Sequence, residues 1–543
     1  MTKKYDFVIV GGGIAGLFTA YKLSETDAKI LLIEKSDYLG GRVYTVYEDN
    51  DKTNDLDIHY ECGAARFNQN HIHIIQCIIE MGLYDDIIHL DHPIHANLRG
   101  KEKDFEKVYK TNKTDPKLTL KDITEYLYKK AETIENKRKM TLKELMNKVM
   151  SKEATQFFID AFGYNSEIEH MNAEDALRLF QNDFMDQDKD KELFFYFSKN
   201  GLTKIIDKLE KTCESNGVEI RKNTLLIDFV GDIKLTTSIG KIETKTLILT
   251  GDKQSLMNIP ALKKVKELDS VVSCPLNRIY AIYPKNNGKV WFHNLHRTTT
   301  DNDLRHIIPI DAEKGLIMIS YSDDKYANKW HKYKEEGTLQ EHIQKEIKKL
   351  YPEKNIPEPF YLEEHYWKAG LHVWKKGIDS AKVMKKIQKP FKDKEVFIVG
   401  ETYCNNQGWM DGALLSAIQV LEQLKVPNYK LNVLETEKKQ EEQRVFTKEE
   451  IDKENKEFME TYNEPKYIII QAEEDQDYYV VNVGEPRKNT WLDNHPGGRD
   501  KIMKAFKADP VAASKMFQDR GHSKIAKEKV KELSDGIIKI KSK

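Results

Sequence analysis

Tyr5-Asp6-Phe7-Val8-Ile9-Val10-Gly11-Gly12-Gly13-Ile14-Ala15-Gly16 opens the chain, and its reading decides the fold. Phe7 to Gly12 are all Phe, Val, Ile or Gly, a short apolar run that predicts a buried strand. Gly11 to Gly16 then fit G-x-G-x-x-G. Leu17 to Ser24 carry helical apolar spacing, and Lys29 to Ile33 form a second apolar run ending in Glu34. Strand, glycine turn, helix, strand and acidic residue, in that order, are the context a dinucleotide fingerprint requires. Gly11 permits the turn, Gly13 lets the backbone approach a pyrophosphate, and Gly16 lets the helix pack on the strand. The helix N-terminus at Ile14 and Ala15 offers N–H groups and a positive dipole end to phosphates. Glu34 stands where a carboxylate accepts hydrogen bonds from ribose hydroxyls, with Lys35 beside it. A glycine turn without a ligand is the plainer reading, and the acidic residue after the second strand argues against it.

Further motifs separate FAD from NAD. Leu39-Gly40-Gly41-Arg42 follows shortly, and a glycine pair with an arginine suits a long cofactor whose pyrophosphate needs a cation as well as a helix end. Then come Tyr60-Glu61-Cys62-Gly63-Ala64-Ala65-Arg66-Phe67, Val399-Gly400-Glu401-Thr402 and Gly408-Trp409-Met410-Asp411-Gly412-Ala413. In this order the motifs, spanning residues 5 to 425, resemble the flavin-dependent amine oxidase family of monoamine, polyamine and L-amino acid oxidases. The resemblance implies contacts to FAD from Gly11, Gly13, Ile14, Ala15, Gly16, Glu34, Lys35, Gly41, Arg42, Gly63, Ala64, Ala65, Arg66, Leu225, Gly400, Glu401, Trp409, Met410 and Ala413. Leu225 is expected to offer backbone groups to the adenine. Leu371 stands where monoamine oxidases carry the cysteine that bonds FAD, so noncovalent FAD is expected.

The chain has 543 residues, too many for one ordinary domain. Hydrophobic residues make up 39%, charged residues 32% and aromatics 10%, a polar but globular composition. Lys+Arg is 87 against Asp+Glu 88, so no global charge imbalance points to nucleic acid. Five dispersed cysteines without a C-x-x-C pair fit reduced thiols in a cytoplasmic setting. The first strand starts within a few residues of Met1, leaving no room for a signal peptide, and no apolar run is long enough to span a membrane.

The expected fold class is α/β: a Rossmann-type FAD-binding domain with an interleaved α+β substrate domain, then a small α+β module. Residues 1–428 form the flavin unit, with FAD-binding parts at about 1–75, 200–260 and 391–428 and substrate-binding parts between them. Residues 70 to 150 read as mostly helical, and the lack of glycine from Lys101 to Lys152 favours helix over turns. Val271 to Tyr366 is strand-rich and resembles the mixed sheet under the family's substrate site.

Residues 429–443 read as a charged linker, and 444–543 as a second unit. Phe446-Thr447-Lys448-Glu449-Glu450 looks like a capped helix start, and Tyr467 to Ile470 and Tyr478 to Val481 like strands. Trp491-Leu492-Asp493-Asn494-His495-Pro496-Gly497-Gly498 and Gly521-His522-Ser523 complete a resemblance to cytochrome b5, which implies a b-type haem held by His495 and His522. Two axial imidazoles leave iron no open position and favour electron transfer. The spacing between the histidines is a few residues long for that resemblance, and Gly484 to Asn489 are extra. A haem-free structural module is the alternative.

Amine oxidation passes a hydride equivalent to flavin N5, and the protein orients the C–H and excludes water. The resemblance makes Trp409 and His372 an aromatic pair framing the substrate nitrogen in front of the flavin. It makes Arg66 the holder of a substrate carboxylate, as in L-amino acid oxidases, with an ordinary salt bridge as the alternative. Arg278 stands in Pro275-Leu276-Asn277-Arg278-Ile279 where most oxidases of the family keep a lysine near N5. Arginine cannot lose its proton, which argues against fast O2 reduction. The sequence therefore predicts an FAD-dependent oxidoreductase for a primary amine or L-amino acid, using O2 or another electron acceptor. A desaturase or isomerase of the same superfamily acting on a nonpolar substrate is the second reading. A non-catalytic binding protein with relic cofactor sites is the third.

Overall fold

The computed structural model describes residues 3–48, 56–90, 94–183, 195–231 and 233–426, and in the C-terminal part the strands Tyr467–Gln471, Tyr478–Asn482 and Gly536–Ile538. The chain divides into two compact units, Met1–Leu431 and Asn432–Lys543. In the second, the three described strands form an antiparallel sheet with Tyr478–Asn482 in the middle. The charged linker, His495 and His522 lie outside the described residues.

The first unit is built on the quoted stretch. Strand β1 (Lys4–Val10) leads through the glycine turn to helix α1 (Ile14–Leu23) and strand β2 (Ile30–Ile33). The sheet continues with β3 (Glu219–Arg221), β4 (Leu226–Val230), β5 (Lys234–Thr237) and β6 (Gly240–Leu249) in the order β4-β5-β6-β1-β2-β3. β6, β1, β2 and β3 run parallel, and β4 and β5 extend the edge antiparallel.

Strand periodicity explains why this sheet is buried on both sides. Val8, Leu31, Ile33, Leu247 and Leu249 join one hydrophobic cluster, and Ile9, Ile30, Leu32 and Ile248 join the other. The second cluster contains α1 and the C-terminal helix of the unit, Met410–Gln423.

The other large sheet is made of β7 (Val271–Ile282), β8 (Thr298–Thr300), β9 (His306–Asp311), β10 (Leu316–Asp323) and β11 (Tyr361–Trp374). Its order is β11-β7-β10-β9-β8, closed by the short strand His95–Asn97, which pairs β8 in parallel. Ile279, Ala281, Ile307, Ile317 and Ile319 pack into an apolar cluster on one face. Arg278, Tyr321 and His306 are register partners across β7, β10 and β9 and so share the opposite face.

Two expectations need correction. Lys101 to Leu118 contains no glycine, yet it is turns with one 3-10 segment at Phe105–Lys107. Side chains brace its turns: Asp115 accepts from Asn112 N–H and from Ser151 N–H beyond the loop, and the buried Tyr109 hydroxyl donates to Asp160 at 2.8 Å. The mostly helical reading of residues 70 to 150 is also interrupted further on, where the chain forms two helices, Leu120–Ala131 and Leu142–Val149. Asn136 adopts φ 57° between them, and Thr141 with Glu144 forms a capping box that restarts the helix.

Candidate active site

Three sequence-distant glycine segments meet at the fingerprint turn. Gly11 has φ +111°, and a Cβ there would lie 2.3 Å from Thr250 Oγ1. A Cβ on Gly16 would lie 2.0 Å from the Gly11 carbonyl oxygen, so the helix–strand approach itself requires glycine. Gly13 differs from both. Its φ of −73° suits any residue, and a Cβ would meet nothing nearer than Gly40 O at 3.9 Å. Neither conformation nor packing asks for glycine at 13, so the space beside it fits a ligand. The Leu39–Arg42 loop lies against the same turn, with Gly40 N–H donating to Gly12 O at 2.8 Å. These residues fit the pyrophosphate of a dinucleotide.

Glu34 is at the end of β2 as expected, with Lys35 exposed beside it. Its carboxylate accepts from Gly12 N–H at 2.7 Å and Ser36 N–H at 2.9 Å. Leu225, expected at the adenine, immediately precedes β4. Its N–H donates to Ser238 Oγ at 3.0 Å and its carbonyl accepts from Ser238 N–H, so both backbone groups are engaged.

Glu401 ties the site together. It is buried after strand Val396–Ile398, and one oxygen meets Arg42 Nη1 at 2.8 Å. Its carboxylate also accepts from His372 N–H at 2.9 Å, Gly408 N–H at 3.0 Å and His372 Nδ1 at 3.0 Å. Burial alone would raise this carboxyl, but Arg42 and His372 outweigh it and hold the group well below the usual carboxylate range. Arg42 also donates to Gly370 O at 2.9 Å, and its carbonyl accepts from Ala64 N–H, which brings Gly63, Ala64 and Ala65 against the turn. Gly41, Arg42, Gly63, Gly400 and Glu401 are thus placed around one locus. Trp409 immediately precedes the helix that carries Met410 and Ala413.

The expected aromatic pair is arranged unevenly. His372 is 0% exposed and its Nε2 has no partner. Trp409 is half-buried and lies 4.6 Å from the His71 ring at 55°. Among the described residues no ring contact joins Trp409 to His372.

Arg278 is 4% exposed, donates to Glu61 O at 2.8 Å and lies 4.5 Å over the Tyr321 ring. Arg66 lies 4.7 Å over the Phe195 ring and donates to Tyr164 Oη at 3.3 Å. Neither arginine has an ion-pair partner among the described residues. Arg297, Tyr164, His306 and Tyr321 share this neighbourhood and were not singled out from sequence. Arg297 lies in a plain polar stretch, His296-Arg297-Thr298, and its charge interacts with that of Arg66 only through the tertiary fold.

No helix among the described residues is long and apolar enough to cross a membrane. All five cysteines are free and buried.

Comparison with known proteins agrees with this geometry. The profile of the family described as flavin containing amine oxidoreductase matches residues 14–423. The uncharacterized protein R188 of Acanthamoeba polyphaga mimivirus is 22% identical over 492 residues, covering 77% of this chain and 93% of that protein. The flavin-containing amine oxidase A of Equus caballus is 32% identical over 101 residues, 19% of this chain and 18% of that protein. Amine oxidase B of Cavia porcellus is 33% identical over 106 residues, 19% of each. The chain therefore matches under a fifth of the length of these two mammalian enzymes. A crystal structure of a putative protoporphyrinogen oxidase from Exiguobacterium sp. 255-15 superimposes with a TM-score of 0.58, covering 78% of this chain and 99% of that one at 15% identity.

Proposed function

Since the chain belongs to the flavin-containing amine oxidoreductase family and is an FAD-dependent oxidoreductase, we propose that it oxidises an L-amino acid or related primary amine bearing a carboxylate. Arg66 carries this reading. Its guanidinium is held by Phe195 and Tyr164, close behind Gly63 and Ala64, and has no carboxylate partner among the described residues. A planar fork kept free in that position suits a substrate carboxylate.

The cofactor supplies the hydride-accepting N5 when bound, and the chain's residues do the rest. Gly13 and the N-terminus of α1 would hold the pyrophosphate, with Arg42 as the nearby cation. Leu371 offers no thiol, which supports noncovalent FAD. Trp409 presents its ring to the substrate nitrogen. His372, fixed by Glu401 at two points, positions the strand that carries Leu371. Its Nδ1 faces a carboxylate oxygen of Glu401 at 3.0 Å, and its buried Nε2 has no partner among the described residues. Arg278 holds a permanent charge and can neither give nor take a proton. Slow reoxidation by O2 is expected for that reason, and an artificial acceptor should support faster turnover than air.

The test is anaerobic mixing of the flavin-bearing protein with L-amino acids and with the matching decarboxylated amines. Amino acids should bleach the flavin band faster, and Arg66→Ala should raise the substrate concentration needed and erase the preference. Equal rates on acid and amine in the parent protein would sink the role of Arg66.

A desaturase or isomerase acting on a nonpolar substrate is a second reading. Arg278 in place of lysine and the fully enclosed His372 favour it, and the free guanidinium of Arg66 opposes it.

For the C-terminal unit we propose a b-type haem with His495 and His522 as axial ligands, supported by the His-Pro-Gly-Gly and Gly-His-Ser motifs. Full-length protein should have a sharp Soret band that His495→Ala or His522→Ala abolishes while the flavin bands persist. Purified protein free of that band after growth with added haem would leave a haem-free module.

A further inference from the structure

Three arginines gather where the second sheet faces Tyr164. Arg278, Tyr321 and His306 form one row across the sheet. Arg297 immediately precedes β8, whose Thr299 meets His306 Nδ1 at 3.2 Å. Arg66 arrives from the Glu61–Phe67 segment. Its Nη2 donates to Tyr164 Oη at 3.3 Å, and the charge of Arg297 interacts with Arg66, Tyr164 and Tyr321. The Tyr164 ring lies 4.4 Å from His306 and 5.3 Å from Tyr321.

Among the described residues the cations in this cluster have no acidic partner. Arg297 is 8% exposed and its Nε has no hydrogen-bond partner. Arg278 Nε and His306 Nε2 are also buried and unpartnered. No ion pair involves Arg66, Arg278 or Arg297 among the described residues. Guanidinium stays protonated, and like charges buried together are costly unless an anion completes them. Burial first, and then the repulsion of Arg66, lower Arg297 to about 10, which still leaves it charged near neutrality. His306 is held well below the usual histidine range, first by burial and then by Arg297, Arg305 and Arg66, and adds no charge.

One carboxylate would leave two of the three cations unpaired. A dianion leaves only Arg278, which already has the Glu61 carbonyl. We propose that Arg66 and Arg297 bind a dianionic substrate together, so that the enzyme acts on an acidic amine with two carboxylates rather than on a neutral or monoanionic one. This rests on the reading of Arg66 as the substrate arginine. Arg297 is the residue that sets the charge class.

The experiment uses the full chain with its flavin, glutarate as an inert dianionic probe and butyrate as the monoanionic control, at constant ionic strength. Binding is followed by perturbation of the flavin spectrum and by the shift in melting temperature. Glutarate should bind at least about 10-fold more tightly than butyrate, and Arg297→Gln should erase that difference. Arg297→Lys should keep part of it, since it retains the charge without the fork. Equal binding of the two probes, or full preference in Arg297→Gln, would overturn the proposal. So would loss of FAD from Arg297→Lys, which would place the cation with the cofactor. A preparation without flavin would count against the functional reading alone, because the glutarate-induced melting shift still reports the two-arginine site.

Discussion

Glu61 sits inside the motif that resemblance singled out, but its carboxylate works for the fold. It accepts from Leu202 N–H at 2.6 Å and from the Thr45 hydroxyl at 3.0 Å. Burial pushes the carboxyl up from 4.5 to about 7, against the pull of those hydrogen bonds and of Arg278. The folded chain therefore binds this proton more tightly than the unfolded chain. The resulting stability is complete below the ordinary value of 4.5 and is lost as pH rises through 7. Between pH 5 and pH 8 it should cost about 2–3 kcal/mol of unfolding free energy, and Glu61→Gln should flatten that part of the slope. Parallel slopes for parent and variant in urea melts would remove Glu61 from the account. Glu401 gives the complementary case, a buried carboxylate kept ionised by Arg42 and His372. Glu401→Ala should destabilise by about 3 kcal/mol, the low end for a broken buried pair because Arg42 keeps contact with water. The same variant should lose FAD, since Arg42, Gly370 and Gly408 would no longer be held together. A variant that purifies with full flavin would show that the segments are positioned by something else.

The glycine turn between β1 and α1 separates packing from ligand binding. Gly16→Ala places a methyl 2.0 Å from Gly11 O and must push the helix off the strand. Overpacking of that kind costs about 1–3 kcal/mol, so the melting temperature should fall even with FAD in excess. Gly13→Ala fills space that nothing in the chain occupies, so the flavin-free protein should melt unchanged and bind FAD poorly. Equal melting shifts for the two variants would contradict the distinction. These elements were legible in sequence because strand, turn, helix and strand follow one another within about thirty residues and carry their own periodicities. The loop from Lys101 to Leu118 was not legible, because its turns are set by side-chain bonds such as Asp115 to Ser151 rather than by glycine or proline spacing. The pairing of Leu225 with Ser238 was not legible for a related reason: it follows from a register that sequence does not print.

At the scale of the molecule the sequence divides into two units, and the structure draws a boundary after Leu431. A chain ending at Leu431 should keep its flavin and melt as a single cooperative unit, because the whole fingerprint sheet and the Glu401 hub lie before that point. Loss of flavin on truncation would show that the C-terminal unit is needed for the site. The arginine cluster was invisible in sequence for a topological reason. Arg66, Tyr164, Arg278 and Arg297 come from four separate segments, and no local pattern announces which of a chain's 87 basic residues will gather without an acid among the described residues.

β1 has one more consequence, for the newly made chain. One of its edges pairs with β2 within about thirty residues, but the other waits for β6, Gly240–Leu249. At roughly 5–20 residues per second of synthesis, that edge stays unpaired for about 12–50 s. During this interval Phe7, Val8, Ile9 and Val10 are an apolar strand with open N–H and C=O groups, a template for any neighbouring nascent chain. The glycine turn ends up beside Glu401, so the flavin site is the last part of the unit to close. Yield in a heterologous host should therefore respond more to slowed translation and chaperone supply than to added flavin.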